Sequence, residues 1–159
     1  MSEKKEMLKT FAENGFGRCD RAFKDLTEKE IEWKPVPESN NIRWILTHLS
    51  EEWNLGLPRM IKGDPNYKPA GWPDNYANSN PSLQKLLSDL EKGKAAVLGG
   101  LDSLRPEDLD AEIDLGRGKR KRLPMVVTYL LEAVHHEGQI AALRGDITRR
   151  REKDKSFLV

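Results

Sequence analysis

The sequence predicts an all-α protein, a four-helix bundle with long crossover loops. Three observations carry that reading. Apolar residues recur at spacings of three and four in four long stretches, as amphipathic helices require. Most prolines collect between those stretches. No alternating apolar run is long enough to build a sheet. Helices of about 20 residues are each about 30 Å long, which suits a bundle. The chain of 159 residues is the size of one domain. A domain of that length buries about two-thirds of its surface and needs no disulfides.

The first helix is expected over residues 3–26, with Met7, Leu8, Phe11, Phe16, Ala22, Phe23 and Leu26 on its stripe. Thr27 with Glu30 three residues later forms a capping box for a small helical turn. Pro35 and Pro37 then force extended chain. Asn40 or Asn41 caps the second helix, which is expected to run to about Ile61. Its stripe is Ile42, Ile45, Leu46, Leu49 and Trp53, and Pro58 falls where it would kink the helix. Residues 63–80 are the longest loop, and the aromatics Tyr67, Trp72 and Tyr76 suit a loop that packs down and walls a cleft.

Asn80-Pro81 reads as the cap of the third helix, whose stripe is Leu83, Leu86, Leu87, Leu90, Val97 and Leu98. Gly99-Gly100 marks its end or a loosening. The polar segment 105–121 has Leu109, Ile113 and Leu115 in a short extended piece. The fourth helix opens at Pro124 and is expected to end at Gly145. Its apolar residues cover so much of its circumference that it should be the most buried. The domain plan is a bundle over residues 1–146 and a basic tail over 147–159, frayed or helical and solvated.

Composition narrows the function. A net charge of +1 speaks against a protein built mainly to hold nucleic acid. The basic run Gly116-Arg117-Gly118-Lys119-Arg120-Lys121-Arg122 reads as a solvated loop or a phosphate contact. No window is apolar enough for a membrane span, and residues 1–9 lead into no apolar stretch, so the cytoplasm is the expected compartment. Cys19 is the single cysteine and reads as a buried, inert thiol. The tryptophans Trp33, Trp44, Trp53 and Trp72 read first as core residues.

Histidine points to chemistry. There are three, His48, His135 and His136, all inside expected helices. Glu132 and His136 stand at i and i+4, so they share a helix face. With His48 from a facing helix they form three ligands and an open position, the plan of an exchangeable metal site. Zn, Ni, Fe or Mn would suit two imidazoles and a carboxylate. The ion would make a bound water or thiol lose its proton readily. The same residues also read as boundary residues of an apolar stripe, and spacing alone leaves both readings open. His135, about 100° around the helix from His136, and Glu52, one turn after His48, are candidate second-shell residues. Glu52 is placed to hydrogen-bond His48 and fix its tautomer.

Two stretches carry a family resemblance. The segment Trp33-Lys34-Pro35 through Asn40-Asn41-Ile42-Arg43-Trp44-Ile45-Leu46-Thr47-His48-Leu49 resembles the second-helix signature of the DinB/YfiT-like superfamily of metal-binding four-helix bundles. The segment His135-His136-Glu137-Gly138-Gln139-Ile140-Ala141-Ala142-Leu143-Arg144-Gly145 resembles its last-helix signature. The resemblance implies a divalent metal held by one histidine of the second helix and two of the last, four apart. By position His48 matches the first and His136 the last. Glu132 stands where the family usually has histidine, so the implied set becomes His–Glu–His. The resemblance also implies thiol S-transferase or hydrolase chemistry on small molecules, with a low-molecular-weight thiol as one partner and a homodimer as the common assembly. The alternative is a non-catalytic, stress-associated bundle or dimerisation module with a degenerate site.

Overall fold

The computed structural model describes residues 3–116 and 118–158. Arg117, inside the basic run, lies outside the described residues. The architecture is the expected all-α bundle. In chain order come α1 (Glu3–Phe23), the short α2 (Glu28–Glu32) and α3 (Ile42–Glu51). A π turn (Glu52–Gly56) joins α3 to α4 (Leu57–Lys62). Then come α5 (Leu83–Ser103), a hairpin of β1 (Glu112–Asp114) and β2 (Lys119–Lys121), and α6 (Arg122–Lys153). α1 packs on α5 and α6, and α3 packs on the same two helices. No described helix is long and apolar enough to cross a membrane.

Local chemistry sets the element ends. Thr27 and Glu30 form the expected capping box on α2. Asn41 caps α3, its side-chain oxygen accepting from Trp44 N–H at 2.9 Å. The cap of α5 is Ser82, not Asn80. Asn80 has φ +46°, left-handed, whereas an N-cap needs extended backbone.

The second rod is not a plain helix with a proline kink. In α-helical register the Pro58 ring would press on the carbonyl of Asn54. The helix widens instead, and Leu57 N–H reaches back five residues to Glu52 O. Asn54 within the turn donates to Ser50 O and to Asp89 O, both at 2.9 Å, tying the π turn to α5. Gly93 makes that approach feasible: a Cβ there would stand 2.6 Å from Trp53 Cβ.

The long loop packs down as expected but does not wall a cleft with its aromatics. Trp72 and Tyr76 stack at 4.3 Å and are buried against the bundle. Tyr76 donates to Asp89 Oδ2 at 2.9 Å. The loop lends Pro65 and Asn78 to the clefts described below.

The polar segment holds more structure than one extended piece. Leu109 is buried in a 3-10 turn and Ile113 in β1. Strands of three residues are too short to show periodicity. Asp114 Oδ1 accepts from Gly116 N–H and Gly118 N–H at 2.8 and 3.2 Å, which closes the hairpin loop.

α6 does not stop at Gly145. A helical glycine costs about 1 kcal/mol relative to alanine, and packing outweighs it. Arg144 donates to Ala22 O and Lys24 O, Ile147 is buried, and Arg151 pairs with the buried Glu30 at 2.6 Å. Arg151 also donates to the carbonyls of Phe157 and Leu158, and Arg150 lies over the Trp33 ring. The basic tail is therefore docked and not simply solvated. The most buried rod is α3, which buries six of its ten residues against six of thirty-two in α6.

Candidate metal centre

α3 and α6 run antiparallel: His48 faces Glu132 and His136, while Arg122 donates to Ile61 O at the other end of the seam. The apolar stripe of α3 turns His48 to the edge of the core, where it is half-buried. One ligand atom from each of His48, Glu132 and His136 lies within 4.8 Å of the others. Glu132 Oε2 is 3.2 Å from His136 Nε2 and 4.0 Å from His48 Nε2. Donors about 2.1 Å from a tetrahedral ion stand roughly 3.4 Å apart, so these separations are close to what an ion needs.

The hydrogen-bond network orients the nitrogens. His136 Nδ1 is 2.8 Å from Gln139 Oε1. An amide oxygen only accepts, so Nδ1 carries a proton and Nε2 is the nitrogen left facing Glu132. A lone pair 3.2 Å from a carboxylate oxygen is repulsive unless a proton or a cation lies between them. The donor set thus fits a divalent ion. Gln139 also places its amide nitrogen 3.1 Å from His135 Nε2. His135 meets the group in two ways, through Gln139 and by an edge-on contact of its ring with that of His136 at 4.9 Å. Sequence reasoning missed Gln139, although its position three and four residues after the two histidines was a signal.

Electrostatics favour a neutral imidazole at His48. Burial lowers its pKa from the ordinary value, the neighbouring His136 lowers it further, and Glu132 pulls the other way. Trp44 stacks on the His48 ring at 5.4 Å and meets His136 edge-on at 6.2 Å. It is 46% exposed, so it roofs the site and does not fill the core. Trp53 and Trp72 are the core tryptophans.

Glu52 departs from its expected role. No hydrogen bond joins it to His48 among the described residues, and its Oε2 is buried without any partner. Burial, then the carboxylates of Glu132 and Glu51, push its pKa up to about 7. Gly56 makes room for it, because a Cβ there would come 2.5 Å from Oε2. Glu52 lines a cleft of about 560 Å³ along the seam between α4 and α6. A second cleft of about 360 Å³ holds His48 and Trp44, and Glu51 lines both. Cys19 is inert: it donates to Ala133 O at 3.3 Å, and burial, with Glu137 and Asp20, pushes its pKa up to about 12.

The family model of the DinB superfamily matches residues 14–140. The chain belongs to the DinB superfamily. Two solved structures share its fold. One is a DinB-like protein from Bacillus subtilis, 15% identical, with a TM-score of 0.70 over 89% of this chain and 92% of that one. The other is a conserved protein from Enterococcus faecalis, 18% identical, with a TM-score of 0.66 over 91% of this chain and 96% of that one. No curated protein matches the chain. In this DinB-superfamily bundle, His48, Glu132 and His136 form a group able to hold a metal ion.

Proposed function

We propose that the protein is a divalent-metal-dependent enzyme of small molecules, of thiol S-transferase or hydrolase type. The observation that carries the reading is the convergence of His48, Glu132 and His136, with the His136 tautomer set by Gln139. A divalent ion held by those three supplies Lewis acidity, lowering the proton affinity of a coordinated water or thiol. The protein's own residues do the rest. Gln139 holds His136 in register. Trp44 covers one flank of the group and restricts water. Glu52, half-buried beside an open cleft with its pKa pushed up to about 7, is placed to take up and return a proton. Glu132 in place of a third imidazole makes the donor set harder, which favours Zn, Fe or Mn over softer ions.

The test is elemental analysis of protein made without a histidine tag. The expected result is one divalent ion per chain, lost in His48→Ala and in His136→Ala. Metal-free protein with both variants folded and unchanged would leave a non-catalytic bundle as the reading. A loaded protein is then screened for thiol transfer and hydrolysis, with Glu52→Gln as the variant that keeps metal and loses turnover.

A further inference from the structure

The cleft along the α4–α6 seam is electrically lopsided. Glu51 and Glu52 line one side of it, and Glu52 is close enough to Glu132 for the charge there to act on it, although the His48–Glu132–His136 group lies outside this cleft. Arg59, Arg120 and Lys121 stand at the other. Along α6, the eight residue steps from Pro124 to Glu132 correspond to about 12 Å. Between the ends the walls are apolar, from Leu55, Met60, Leu115 and Met125.

The cations at the far end are unclaimed. Arg59 uses its Nε on Tyr67 O at 2.9 Å, which fixes the side chain in place. Its terminal nitrogens make no ion pair among the described residues, and neither do Arg120 and Lys121. Arg120 lies opposite Ile113 in the hairpin, and cross-strand partners share a face. Ile113 is buried, and Arg120 on the same face lines the cleft while staying exposed to solvent. The neighbouring Arg122 is different: it donates to Ile61 O, approaches Asp108 at 3.9 Å and packs against Gly63. It belongs to the scaffold. Two guanidinium groups lining an open cleft of this size suit an organic anion, which arginine grips through paired hydrogen bonds.

We propose that this cleft binds an elongated small molecule with an apolar body, its anionic end held by Arg59 and Arg120 and its other end lying at Glu52. The inference deepens the enzymatic reading by naming the substrate class. The experiment is done on metal-free protein, so the failure of one is separable from the failure of the other.

Isothermal titration of the full chain, stripped with EDTA, compares 4-phenylbutyrate with the uncharged 4-phenylbutanamide. The carboxylate is expected to bind about tenfold more tightly, the worth of one charge-assisted contact. Arg120→Glu, a change at an exposed hairpin position, removes that preference, and Arg59→Gln weakens it. Glu132→Ala, which deletes a candidate metal ligand, leaves it intact. Equal binding of the two probes, or no binding of either, overturns the proposal. So does a preference that survives both arginine changes, or one that disappears in Glu132→Ala, which would place anion recognition at the histidines.

Discussion

Two carboxylates at the π turn are treated in opposite ways. Asp89, on α5, is 2% exposed and fully engaged. It accepts from Tyr76 O–H, pairs with Lys85, and has Lys92 at 3.6 Å. Glu52, on the π turn, has a buried oxygen with no partner and a second acid, Glu132, close enough to raise its pKa. An unpaired buried acid is costly, and a fold retains one only where something other than stability is served. The comparison separates the face of the bundle that holds the long loop in place from the face that carries the candidate chemistry.

The largest expected effect is on the satisfied side. Asp89→Ala strips Tyr76 of its acceptor and leaves Lys85 without its partner. Loss of one member of a buried network costs about 3 kcal/mol. Urea unfolding should show it, with metal content unchanged. A change of similar size in metal content would mean that the two faces are coupled and that the distinction drawn here is wrong.

Glu52→Gln should act with the opposite sign. The folded pKa is raised to about 7 from an ordinary 4.5. Below the unfolded value the carboxyl is protonated in both states and exerts no pH-dependent effect. As pH rises toward the folded value, the unfolded chain releases its proton first and the wild type loses stability. Metal-free Glu52→Gln should therefore be more stable than wild type at pH 8, by at most about 3 kcal/mol, and the advantage should shrink toward pH 4. A wild-type stability that rises between pH 5 and 7 relative to the variant would show that Glu52 has a partner in solution.

Gln139→Leu removes the acceptor for His136 Nδ1–H. Losing the group that orients a ligating imidazole lowers metal affinity by about ten- to a hundredfold. The fold should be nearly unaffected, because Gln139 is exposed. Competition with a chelator of known affinity reads the change. Unaltered affinity would mean that the hydrogen bond does not set the tautomer.

These contrasts also show what the sequence could and could not reveal. The stripes of α3 and α5 were legible because a helix repeats its burial pattern over many turns, whereas that of α1 was legible only in part: Met7 and Phe11, expected on it, are exposed, and the small Ala12, Gly15 and Cys19 are buried instead. His48, Glu132 and His136 were legible because one pair sits on a single face and the third falls on the neighbouring stripe. The π turn was not, since Pro58 signals trouble in a helix without saying whether the answer is a kink or a widening. The partnering of Glu52 and Asp89 was not legible either: spacing put Glu52 beside His48 and marked nothing at Asp89, and only the crossing of helices decides which one meets Tyr76. The continuation past Gly145 depended on contacts between Arg151 and Glu30, 121 residues apart. Local propensity carries no information at that range.

The smallest expected effect tests what holds Asp89. Lys92 lies 3.6 Å from Asp89 Oδ1 and is 68% exposed, so solvent screens the pair. Exposed pairs of this kind contribute about 0.5 kcal/mol or less. Tyr76→Phe removes a buried hydrogen bond to the same carboxylate, with the ring still stacked on Trp72, and should cost about 1–2 kcal/mol. If Asp89 is held by hydrogen bonds, Lys92→Ala leaves the unfolding midpoint in place while Tyr76→Phe lowers it, and salt changes neither result. If charge holds it, Lys92→Ala matches or exceeds Tyr76→Phe at low ionic strength and the difference fades in high salt. The first outcome makes Asp89 a neutral-tyrosine anchor for the loop, which is why that face tolerates a buried acid without leaving it reactive.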